Sequence, residues 1–91
     1  MQIGKMKEFN GHRSWNAWNV SLWINNVESA YNFAMECVTE PVVKRNGDKV
    51  KPSINVAVGR FMRWYGGEKT PDGAVYNRLS VKLALEGLME G

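Results

Sequence analysis

The stretch S14-W-N-A-W-N-V-S-L-W-I-N-N-V-E-S-A-Y-N-F-A-M-E-C-V-T-E40 holds Trp15, Trp18, Trp23, Tyr31 and Phe33 without a single Lys or Arg. A buried Trp removes roughly 150–250 Å² from water, on the order of 4–6 kcal/mol gross at about 25 cal/mol/Å². In 91 residues that much apolar surface anchors the fold, an interface, or both. Ser14 is a suitable N-cap for a first helix over about 15–25. Trp15, Trp18, Leu22 and Asn25 form one stripe of it and Val20, Trp23, Ile24 and Val27 another, so the helix is either central or meets a partner. Asn26 is placed to cap a second helix over about 27–39, whose apolar set is Val27, Ala30, Tyr31, Ala34, Met35 and Val38. Pro41 closes it.

Downstream the period changes. In V42-V-K-R-N-G-D-K-V-K51, Asn46-Gly47 signals a two-residue hairpin turn that pairs Arg45 with Asp48, Lys44 with Lys49 and Val43 with Val50. One face then carries Val43, Arg45, Asp48 and Val50, the other Val42, Lys44, Lys49 and Lys51. Such a charged hairpin serves either to keep exposed edges from aggregating or to receive an anion. An isolated hairpin is marginal, so it needs the helices or the N-terminal arm for support.

A third helix follows Pro52-Ser53, over about 54–65, and ends at Gly66-Gly67. Its apolar arc is Ile54, Ala57, Val58, Phe61, Met62, Trp64 and Tyr65. Arg60 and Arg63 fall on the outer face with Gly59, which marks close approach of another group. Residues 66–77 read as a structured loop pinned by Tyr76. A last helix over about 78–90 places Val81, Ala84, Leu85 and Leu88 on one stripe and directs Leu79 and Leu83 elsewhere. The expected architecture is mainly α: a small single-domain bundle of about four helices over 1–91. A β-hairpin at 42–51 separates the second and third helices, and an N-terminal arm covers 1–13.

Composition narrows the function classes. Hydrophobic residues at 44% and charged residues at 23% describe an ordinary globular domain. The net charge of +3 is unevenly spread: 14–40 carries −3, and 41–69 carries seven basic groups against Asp48 and Glu68. That distribution argues against an acidic mimic of nucleic acid and draws attention to the basic middle. The single cysteine, Cys37, excludes an intramolecular disulfide and sits in an apolar helical pattern, as an inert buried thiol does. The one histidine, His12, is read as a polar turn residue. No phosphate loop, metal-ligand spacing or nucleophile–base arrangement is present, so a non-enzyme without cofactor or metal is expected. The chain has neither an apolar run of membrane length nor a signal-peptide pattern, which gives the cytoplasm as the expected location.

Two binding surfaces remain. Trp15, Trp23, Leu79 and Leu83 are the apolar interface candidates, because hot spots are rich in Trp. Lys44, Arg45, Lys49, Lys51, Arg60 and Arg63 are the candidates for contact with a partner protein or nucleic-acid phosphates. Only Arg63-Trp64-Tyr65 interleaves cations with aromatics as single-strand binders do. Apolar residues on two sides of the first and last helices are compatible with a homodimer and equally with a compact monomer.

The motif W15-N-x-W-N-V-x-L-W-I-N-N26, followed by Glu28 and Tyr31, resembles a family of small proteins encoded largely by bacteriophages and other bacterial mobile elements. The later K69-T-P-D-G-x-x-Y76 resembles that family's second motif. Family members usually carry an acidic residue where this chain has Val27 and vary most between the motifs. The family brings no established activity, so no site residue is carried over. The resemblance implies a non-catalytic phage accessory protein that blocks a host bacterial protein or ribonucleoprotein complex, such as a CRISPR or restriction system. The alternative is a small nucleic-acid-binding accessory protein using the basic 44–63 surface.

Overall fold

Each helix needs partners for the free N–H groups of its first turn, and the sequence supplies them at three of four starts. In the computed structural model, which describes residues 14–90, α1 spans Trp15–Asn26, α2 Glu28–Thr39, α3 Ile54–Tyr65 and α4 Arg78–Glu90. The 1–13 arm, with His12, lies outside the described residues. Ser14 Oγ accepts from Ala17 N–H at 3.1 Å, Ser53 Oγ from Val56 N–H at 3.2 Å and Asn77 Oδ1 from Ser80 N–H at 2.9 Å. The exception is α2. Asn26, expected as its cap, is the last residue of α1, and Val27 stands between the helices with no side-chain bond. Val27 N–H donates to Trp23 O (3.1 Å) and its carbonyl accepts from Tyr31 N–H (2.8 Å), so its backbone closes one helix and opens the next.

The expected architecture is the observed one: four helices, with a two-stranded antiparallel hairpin between α2 and α3. α1 packs on α4 and α2, and α3 packs on the same two. Val20 and Ile24 of α1 meet Ala34, Cys37 and Val38 of α2, Ala57, Val58 and Phe61 of α3, and Val81, Ala84 and Leu85 of α4. Phe61 stacks on Tyr65 with ring centroids 4.4 Å apart, and Phe33 and Tyr76 extend the aromatic group at 5.5 and 6.1 Å from Phe61. Burial raises the Cys37 thiol to about 11, so it stays protonated and unreactive at neutral pH.

The tryptophans stand outside this core. Trp15 and Trp64 are 38% and 72% exposed, while Trp18 and Trp23 are half-buried. The buried apolar stripe of α1 is Ala17, Val20 and Ile24, spaced three and four residues apart, and the indoles flank it. Trp64 likewise lies at the edge of the α3 arc, where Tyr65 turns inward in its place.

Arg60 departs from expectation in the opposite sense. Rather than standing free on the outer face, it is half-buried, and its Nη1 donates to Cys37 O at 3.1 Å and Glu40 O at 2.7 Å. Its charge closes the C-terminal end of α2, where unpaired carbonyls and the helix dipole favour a cation.

The hairpin adopts a register one residue from the expected one. Strands β1 (Val42–Val43) and β2 (Lys49–Val50) pair Val42 with Val50 and Val43 with Lys49. The loop is therefore three residues, Arg45-Asn46-Gly47, with Lys44 N–H donating to Asp48 O at 2.7 Å and Gly47 N–H to Lys44 O at 2.8 Å. Gly47 sits at φ +94°, the left-handed glycine that ends this loop type. Asn46 Oδ1 accepts from Asp48 N–H at 3.0 Å, a local bond that favours the longer turn. The shift replaces the Lys44–Lys49 opposition with Lys44 beside Asp48.

Gly59 has nothing within 4 Å of where a Cβ would stand, so among the described residues no group beyond its own helical turn approaches it closely. Gly59→Ala should therefore raise stability by about 1 kcal/mol, or roughly 4–8 °C in Tm, through helix propensity alone. A thermal melt checks this; an unchanged or lower Tm would refute it.

Candidate binding surfaces

Asn16, Asn19 and Trp23 lie three and four residues apart on α1 and so share one stripe of hydrogen-bonding side chains. That stripe faces the 66–77 loop, which is folded as a second tight turn. Lys69 and Val75 form an antiparallel bridge. Thr70 N–H donates to Ala74 O (2.8 Å) and Gly73 N–H to Thr70 O (2.8 Å), with Gly73 at φ +97°. This is the hydrogen-bond pattern of the basic hairpin's turn, here with Pro71 at the position that favours its fixed φ.

The two segments are clasped by side chains. Asn16 brackets the Val75 peptide: its Oδ1 accepts from Val75 N–H at 2.8 Å and its Nδ2 donates to Val75 O at 2.9 Å. The same Nδ2 donates to Ser80 Oγ at 2.7 Å. Asn19 Oδ1 accepts from Thr70 Oγ1 at 2.6 Å, and Thr70 Oγ1 accepts from Ala74 N–H at 3.0 Å. Asp72 Oδ2 receives both Asn19 Nδ2 and Trp23 Nε1 at 2.9 Å. Asn19, Thr70 and Ser80 are the buried polar residues among those described, and each has a partner, as burial requires. The hydrogen bonds from Asn19 and then Trp23 hold the Asp72 carboxyl below its ordinary value. The loop is indeed pinned by Tyr76, which is buried, but sequence reading missed the Asn16–Asn19–Asp72 clasp. The signal was present as polar residues at helical spacing inside an apolar helix.

A separate cleft of about 220 Å³ opens between α2 and α3, lined by Phe33, Glu36, Cys37, Glu40, Arg60, Arg63 and Trp64. Phe33 and Cys37 supply apolar wall, and Arg63 and Trp64 are exposed. The six candidate cations thus divide. Arg60 and Arg63 line the cleft, with Arg60 committed to α2 carbonyls. Lys44, Arg45, Lys49 and Lys51 are exposed on the hairpin, which makes hardly any contact with the helices. Of the apolar candidates, Trp15 and Leu79 are exposed at 38% and 49%; Leu83 is half-buried, and the indole N–H of Trp23 is engaged by Asp72. Among the described residues no three His, Cys, Asp or Glu come together as metal ligands do, and no helix is long and apolar enough to cross a membrane.

Residues 5–91 match the model of a family of unknown function, DUF7249. The chain belongs to this family. No curated protein and no solved structure matches it. In this DUF7249 member the two sequence motifs that carried the resemblance are the two halves of the clasp.

Asn16→Ala and Asn19→Ala should each cost about 2–3 kcal/mol in urea unfolding, because each orphans buried or half-buried partners. A loss below about 0.5 kcal/mol would show that the clasp is dispensable. Asp72, whose folded pKa is depressed, contributes stability that is present above its unfolded pKa and lost as pH falls through the folded one. Tm should therefore fall on acidification below about pH 4, and Asp72→Asn should flatten that part of the profile. An identical acid limb in the variant would disprove the assignment.

Proposed function

We propose that this protein is a non-enzymatic inhibitor of bacteriophage or mobile-element origin that blocks a host bacterial complex by direct protein contact. The observation that carries this reading is Trp64, 72% exposed at the rim of the α2/α3 cleft beside Arg63. Leaving an indole in water forgoes on the order of 4 kcal/mol of burial, which a partner can recover. Trp and Arg at the edge of a partly apolar cleft are the anchors that dominate protein interfaces. Glu36 and Glu40 in the same cleft favour a partner with its own cation, which orients docking. The setting fits the family resemblance: a small accessory protein acting by occlusion in the cytoplasm of an infected cell, as anti-CRISPR and anti-restriction proteins do.

The nucleic-acid alternative over 44–63 is weaker as one continuous surface, since Arg60 is engaged within the fold. Its hairpin portion stands on separate observations.

Tagged wild type and Trp64→Ala should be compared in pull-downs from bacterial lysate with nuclease and high salt. Wild type should retain one stoichiometric protein and block that complex's activity. The variant, with unchanged circular dichroism, should bind about 30-fold more weakly, the effect of a 2 kcal/mol hot spot. A partner that disappears with nuclease, or that Trp64→Ala keeps, would refute the reading.

A further inference from the structure

The observed register sorts the hairpin's charges by face. Residues directly opposite share a face, so Val42, Val50, Lys44 and Asp48 lie on one side. Val43, Lys49 and Lys51 lie on the other, with Arg45 at the tip. The first side carries a cation and an acid together. The second carries cations and no acid, and its Val43 is 61% exposed. None of Lys44, Arg45, Lys49 or Lys51 uses its side chain in a hydrogen bond or ion pair with a described residue.

We propose that the Val43–Lys49–Lys51 face, with Arg45, is a phosphate-binding ribbon for B-form duplex DNA. Uncompensated cations on a projecting element match a polyanion, from which each contact releases a counterion. Duplex is favoured over single strand because the hairpin carries no aromatic residue on which bases could stack. DNA is favoured over duplex RNA because the B-form major groove admits a two-stranded ribbon, whereas the deep, narrow RNA groove does not. With Val43 as the single apolar side chain on that face, binding depends on backbone charge and not on sequence. The proposal rests on the hairpin alone and is independent of the Trp64 cleft.

The test is fluorescence anisotropy of a labelled random-sequence duplex of about 20 base pairs, enough for two helical turns. Single-stranded DNA, duplex RNA and polyglutamate serve as competitors. Three phosphate contacts predict a fall in affinity of about 40-fold between 50 and 200 mM salt, and Lys49→Ala should lower the log–log slope by about 0.9. Lys49→Glu and Lys44→Glu make the same charge change on opposite faces. The first should weaken binding at least tenfold more than the second, and Trp64→Ala should change nothing. No duplex binding at 50 mM salt would overturn the proposal and leave the charges as protection of the hairpin edges. Better competition by single strand, RNA or polyglutamate, or equal losses from the two Glu variants, would also overturn it.

Discussion

Asn19, 1% exposed on α1, makes its side-chain hydrogen bonds to Thr70 and Asp72, more than fifty residues away. A buried amide left without partners costs about 1–3 kcal/mol, so α1 is stable in the interior only when the 70–75 turn is folded against it. The dependence is mutual. That turn brings Ala74 and Tyr76 into the core, where Tyr76 meets both Phe61 and Tyr65. Asn16 fixes the Val75 peptide and reaches Ser80 in the first turn of α4, so the clasp also sets where the last helix begins. In a domain with a core this small, a satisfied polar network supplies the specificity that packing alone leaves open.

With the turn held this way, the helices close around Phe and Tyr instead of Trp. Phe33, Phe61, Tyr65 and Tyr76 interlock at centroid distances between 4.4 and 6.1 Å. Ala17, Ala30, Ala34, Ala57 and Ala84 line the helix contacts, and such short side chains let backbones approach closely. An indole at one of those positions would force the helices apart. The tryptophans consequently occupy the flanks, where Trp23 joins the polar clasp and Trp64 overlooks the cleft.

The basic middle of the chain likewise divides into three parts in space. Arg60 reaches back twenty residues to the end of α2 and becomes part of the scaffold, and Arg63 stays at the cleft. The hairpin keeps its cations in solvent, arranged by a register that one local hydrogen bond, Asn46 to Asp48, favours. Neighbouring charges of one sign are therefore divided among scaffold, cleft and hairpin.

The sequence by itself determined the four helices, the hairpin between the second and third, and a structured loop over 66–77. These follow from local chemistry: hydroxyl caps at 14 and 53, an apolar 3.6-residue period, and glycines where φ must be positive. Asn16, Asn19 and the Thr70-Pro71-Asp72-Gly73 turn, which stood out in the sequence through the resemblance, are also the residues that form the clasp. Tertiary structure alone decided which aromatic residues are buried, since a helix with apolar groups on several sides presents faces that only its neighbours select. It also decided that Arg60 belongs to the fold and Arg63 to the surface. Both lie on α3 one turn apart, and only the position of the α2 carbonyl end distinguishes them. The hairpin register fell between these cases. Asn-Gly predicts a turn, but whether the loop takes two residues or three rests on which donor the Asn46 side chain captures, and that choice moves every β1 side chain to the opposite face relative to β2.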